Sequence, residues 1–163
     1  MSGTVPILSI YCMSITCVIS IALPIGLLLY FRSFKKADIY PFFVGCGIMF
    51  FFVFVFEAAA HRTILYSSVG EVIRSHIWLY AMYGGIMAGL FEETGRFLAF
   101  KLTLRKYLGK NQNALMYGAG HGGFESIYLV GMTMITNLVW SYTINMGNAS
   151  SHESRSEERR VGK

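Results

Sequence analysis

Charged side chains are scarce. They make up 14% of the residues, where soluble domains average about a quarter. The shortage is uneven, and long stretches carry no charge at all, which excludes an ordinary soluble domain. Strict alternation of apolar and polar residues is also missing, so the apolar runs do not read as strands of a transmembrane barrel. A basic leader is absent, because Met1 to Pro6 contains no Lys or Arg. The apolar run that follows is longer than a secretory signal needs, so it reads as a retained span. Cysteines number three, Cys12, Cys17 and Cys46, each inside an apolar stretch. They read as small buried hydrophobes and not as a disulfide or metal framework.

What is present is hydrophobic length. Hydrophobic residues make up 54% of the sequence, and a membrane-crossing helix needs about 20 mostly apolar residues. Backbone inside a bilayer must satisfy its own hydrogen bonds, so continuous apolar runs become helices. The expectation is an all-α, polytopic transmembrane helix bundle in the cell membrane with four visible spans. The first covers about Val5 to Phe31, with Pro24 a kink point. The second opens at Pro41 and continues to about Ala60, its Phe50–Phe56 core apolar on every face and suited to lipid. Residues His61 to Ile77 mix charge with Ile, Leu and Val, as an interfacial loop or short amphipathic helix would. The third span begins at Trp78 and Tyr80 and ends near Leu102. The fourth covers about Asn113 to Tyr142, with Trp140 and Tyr142 at its far interface.

The formal net charge is +5, but it does not point to nucleic acid. Arg32, Lys35 and Lys36 sit in one short loop, and Arg105, Lys106 and Lys110 in another, whereas Arg62 and Arg74 share the loop between. That asymmetry places the two basic loops in the cytoplasm and the N-terminus outside. The last nine residues, Arg155-Ser-Glu-Glu-Arg-Arg-Val-Gly-Lys163, break with everything before them. They resemble the translation of a sequencing-adapter oligonucleotide, so residues 1–154 are read as an incomplete transmembrane domain and 155–163 as a non-native tail. A charged, solvated tail is the alternative. His152 carries no signal.

Ionisable groups within a bilayer are expensive and mark function. The third span carries Phe91-Glu-Glu-Thr-Gly-Arg96 and the fourth Gly118-Ala-Gly-His-Gly-Gly-Phe-Glu125. Glu92 lies roughly 15 Å, and His121 roughly 12 Å, from the same end of two consecutive antiparallel helices, by helical rise. They can therefore meet at similar depth. Arg96 is three residues from Glu93 and four from Glu92, so its guanidinium can reach either carboxylate. His121 and Glu125 share a face at i,i+4. The four glycines around His121 let helices approach closely, and they equally leave room for a water and a peptide backbone. Packing by His121 and a structural Glu93–Arg96 ion pair are the bland readings. Glu57 and His61 form a second i,i+4 pair at the opposite end of the second span.

A carboxylate can take a proton from water while an imidazole orients it or stabilises an oxyanion. Metal-assisted activation, by zinc above all, is the other route, for which one His with carboxylates is a thin ligand set. At these residues the sequence resembles the YhfC family of bacterial intramembrane peptidases, itself distantly related to the CAAX-processing and bacteriocin-processing membrane proteases. The resemblance covers about residues 1–150. Its specific part is Glu92-Glu93-Thr-Gly-Arg96 followed by the His121 glycine motif. Arg96 stands one residue nearer the Glu pair than in the wider group, Tyr117 stands where that group has Phe, and a third, His-bearing motif is not visible. The resemblance implies an endopeptidase acting on membrane-associated peptides or proteins. Glu92 or Glu93 would be the base and His121 an oxyanion or metal partner, with Arg96 and Glu125 completing the motif. A proton-coupled transporter using the same carboxylates is the competing class, although no internal repeat supports it.

Overall fold

The structure is a computed structural model that describes residues 4–161, with side chains described as far as Gly147. The expected all-α class holds. Helix α1 (Ile7–Ser33) runs unbroken through Pro24. Helix α2 (Tyr40–Ile48) starts on Pro41, whose missing N–H costs nothing in a first turn. A π-helical stretch (Met49–Glu57) joins it to α3 (Ala58–Leu65), making one span from Tyr40 to Leu65. Ser67 caps α4 (Ser68–Ser75) by accepting a hydrogen bond from the Gly70 N–H at 3.3 Å. Helix α5 (Ile77–Leu98) extends through a π turn (Ala99–Thr103) and is followed by a 3-10 turn (Arg105–Tyr107). Helix α6 (Asn111–Glu125) passes through a third π stretch (Ser126–Gly131) into α7 (Met132–Val161).

Three helices, Ile7–Ser33, Tyr40–Leu65 and Asn111–Gly147, are long and apolar enough to cross a membrane. They coincide with three of the four expected spans. The remaining one, α5, has 22 residues and therefore the length, about 33 Å, but Glu92, Glu93 and Arg96 depress its hydropathy. The second span reaches Leu65, beyond the expected end near Ala60. The residues read as a non-native tail lie where side chains are not described, and Gly162 and Lys163 lie outside the described residues altogether.

The chain forms two compact units. In the first, the start of α1 up to Ala22 packs with the chain from Ser126 onward. Val5 and Asn145 exchange hydrogen bonds at 2.8 and 3.2 Å, and the Ser126 hydroxyl donates to the Ser20 carbonyl at 3.2 Å. The second unit, Leu23–Glu125, holds the candidate site. Its core is Ala99, Leu104 and Tyr117, with Val44, Ile48, Phe100 and Tyr107 packed around them.

Small residues bring α2 and α6 together. A Cβ on Gly120 would strike the Phe42 carbonyl oxygen, and one on Gly45 would strike the backbone of Tyr117 and His121. The Cys46 thiol lies 3.3 Å from the Gly120 carbonyl oxygen. Beyond Ile48 the same span turns towards α5. Gly95 is covered by Ile48 and Phe52, and Phe50 and Phe54 meet Phe124 edge to face. The Phe50–Phe56 segment is thus partly interior, not wholly lipid-facing as its composition suggests.

At one end of this unit, the two basic connectors are tied together. Lys110 pairs with Asp38 at 3.1 Å. The Asn113 side chain donates to the Asp38 carboxylate and to the Tyr107 carbonyl, and accepts from the Asp38 N–H, each at 2.9 Å. Both loops therefore lie at the same end, as the charge asymmetry requires.

Candidate functional site

The close approach of α2 sets the orientation of α6. With Gly120 and Gly45 in van der Waals contact, His121 on the adjoining position turns inward and is 6% exposed. Glu92, near the end of α5, comes to meet it. The His121 Nε2 and Glu92 Oε2 atoms are 3.9 Å apart, beyond direct hydrogen bonding. Nε2 is buried and has no hydrogen-bond partner. This is the juxtaposition that residue counting anticipates.

The two glutamates separate by role. Glu92 faces His121, whereas Glu93 points to the open side and pairs with Arg96 at 2.6 Å. The Glu93 side chain is 65% exposed, so this ion pair does not lock two helices. Glu125 is exposed on α6, within electrostatic range of Glu92. Its i,i+4 relation to His121 produces no contact between the two side chains among the described interactions.

The glycines around His121 divide in two. Gly120 and Gly123 are packing positions, the latter against Pro24. Gly118 and Gly122 have open space where a side chain would project. Close helix approach and an uncovered backbone face therefore coexist, on opposite sides of one helix.

Tyr117 is the residue that sequence reasoning missed as a participant. It is buried, its ring stacks on His121 with centroids 5.7 Å apart, and its hydroxyl lies 3.5 Å from Nδ1. Phe100 holds the other side of the ring edge-on at 4.9 Å. Arg96 is within electrostatic reach of the Tyr117 hydroxyl. The i,i+4 spacing of Tyr117 and His121 was the available signal. It is easily read as packing, because a tyrosine one turn from a histidine is common on any helix.

Two comparisons bear on this arrangement. Residues 19–160 match the family described as YhfC intramembrane metalloprotease. An uncharacterized membrane protein YhfC of Bacillus subtilis (strain 168) is 34% identical over 131 residues, covering 79% of this chain and 50% of that protein. The chain thus spans about half the length of that curated relative. No solved structure matches.

A catalytic zinc ordinarily takes three protein ligands. Here the orphaned His121 Nε2 and the Glu92 carboxylate form a pair of donors. Among the described residues, no group of three His, Cys, Asp or Glu is placed to hold a metal. The donors on hand do not make a metal centre by themselves.

Proposed function

Because this chain belongs to the YhfC intramembrane metalloprotease family, we propose that Glu92 and His121 form the water-activating pair of an intramembrane endopeptidase. The observation that carries this reading is the buried, unpartnered Nε2 facing a carboxylate 3.9 Å away. A water donating to the Glu92 carboxylate fits beside Nε2 at that separation. Glu92 takes its proton as the hydroxyl attacks a peptide carbonyl, and the negative charge that develops on the carbonyl oxygen needs a donor.

The His121 tautomer decides which part the imidazole plays. Arg96 can only donate, so a bond from it to the Tyr117 oxygen directs the Tyr117 proton to Nδ1. A neutral His121 then carries its own proton on Nε2 and presents a donor to the oxyanion. Binding a metal through Nε2 requires the opposite tautomer. We assign Nε2–H, with Tyr117 and Arg96 as positioning residues. Glu93 holds Arg96. The bare backbone at Gly118 and Gly122 gives an extended peptide a way to approach this pair. Membrane-associated peptides or proteins are the substrate class, and lipid is the surrounding medium.

Cleavage of a membrane-tethered reporter by the full-length protein tests this. Glu92→Gln should lower turnover by about 10²–10⁴-fold, the usual contribution of a general base. His121→Ala should cost about 10²–10³-fold, as loss of an oxyanion donor does. Glu93→Gln and Tyr117→Phe should each cost less than Glu92→Gln, since neither touches the water. Wild-type turnover in Glu92→Gln would remove the base assignment. Proton-coupled flux with no cleavage product in any background would favour a transporter instead. Abolition by a chelator and restoration by zinc would reverse the tautomer assignment at His121.

A further inference from the structure

A second polar cluster lies away from the Glu92–His121 pair, at the other end of the Tyr40–Leu65 span. Glu57 is roughly 18 Å further along the helix than Gly45, the residue that touches the His121 backbone, counting by helical rise. Glu57 Oε1 lies 3.2 Å from His61 Nε2, and His61 Nδ1 lies 2.8 Å from the Tyr83 hydroxyl on α5. The Glu57 side chain is 8% exposed, and its Oε2 is buried without a hydrogen-bond partner. Beside this chain of contacts is a cavity of about 320 Å³ lined by His61, Leu65, Tyr80, Ala81, Tyr83 and Gly84.

The hydrogen-bond order fixes what the cavity offers. With its proton on Nε2, His61 donates to Glu57 Oε1. Nδ1 is then an acceptor, and Tyr83 spends its single O–H on it. The Tyr83 oxygen is left with lone pairs alone. No Lys or Arg pairs with Glu57 among the described ion pairs, and its partner there is His61. A cavity with an acceptor-only phenol oxygen, two tyrosine rings and a buried carboxylate one imidazole away favours a cation that brings its own N–H donors.

We propose that the cavity beside His61, Tyr80 and Tyr83 binds a primary ammonium group. The group donates to the Tyr83 oxygen, lies against the Tyr80 ring and is attracted by the Glu57 charge behind His61. Leu65 and Ala81 provide the apolar wall for a short alkyl stem. A free amine and the ethanolamine headgroup of a lipid share this chemistry.

The probe is n-butylammonium, titrated by calorimetry and by chemical-shift change of the His61 ring into the intact protein in phosphatidylcholine nanodiscs. Its neutral isostere, n-butanol, serves as control. Saturable binding of the ammonium, at least tenfold tighter than the alcohol, is expected. Glu57→Gln and Tyr83→Phe should each weaken it by at least tenfold, while Glu92→Gln leaves it unchanged. Circular dichroism and thermal melting of each variant establish that it is folded, and His61→Gln provides a second route should Glu57→Gln fail to fold. Repeating the titration in phosphatidylethanolamine nanodiscs separates the sources: competition assigns the lipid headgroup, and undiminished binding assigns a free amine. Equal binding of alcohol and ammonium, no saturation in either disc, or wild-type affinity in folded Glu57→Gln and Tyr83→Phe would overturn the proposal.

Discussion

A single methyl group distinguishes the two kinds of glycine in the His121 motif. At Gly120 an added Cβ would run into the Phe42 carbonyl, which is backbone and cannot step aside. Gly120→Ala should therefore push α2 from α6 and cost about 1–3 kcal/mol, the usual range for overpacking. At Gly118 nothing lies within 4 Å, and Gly118→Ala should change stability by less than about 1 kcal/mol. Thermal or denaturant unfolding in detergent checks the pair. The informative result is the contrast, since both changes add the same atoms to the same helix. Arg96 acts at this scale too. Its partner Glu93 is mostly exposed, so loss of Arg96 does not strand a buried charge. Its consequence is a misdirected Tyr117 hydroxyl.

Between helices, the connector clasp is the element with a defined pH response. Asp38 accepts from Asn113 and from Lys110, and these two contacts, the first the stronger, hold its carboxyl below the ordinary carboxylate range. A folded pKa below the unfolded one means the stabilisation is complete above the unfolded value, about 3.9. It is lost as pH falls through the lower folded value. Melting temperature should drop on acidification below about pH 4, and Asp38→Asn should lack that increment. An identical acid profile in Asp38→Asn would assign the loss to other carboxylates. Helices were the most legible elements, because runs such as Ile7–Ser33 leave no alternative to self-satisfied backbone in lipid. The meeting of Glu92 with His121 was legible from helical rise and antiparallel order. The Tyr83 contact of His61 was not, since it joins residues on different helices and no local period encodes it. Nor were the π stretches, because hydrophobicity that is uniform around Phe50–Phe56 carries no phase. The split between Glu92 and Glu93 followed from the rotation of α5 against Phe52 and Ile48, which adjacent glutamates cannot reveal.

At the scale of the whole chain, the two basic connectors share one end through Lys110 and Asp38, and α4 lies between α3 and α5. We expect Ser68→Cys, chosen because Ser67 is needed as a cap, to react with an impermeant maleimide in intact cells. Gly109→Cys should react only after permeabilisation. Both belong in a background with Cys12, Cys17 and Cys46 replaced. Labelling of Gly109→Cys from outside would invert the topology. The Tyr40–Leu65 span carries a further consequence through its π-helical middle. Its lower portion is clamped by Gly45 to the backbone of His121, while its upper portion presents Glu57 and His61 to Tyr83. Each change between i→i+5 and i→i+4 bonding adds or removes one residue in a turn, which is about 100° of rotation. A one-residue deletion within Met49–Glu57 should therefore turn the Glu57–His61 end about the axis relative to the Gly45 end.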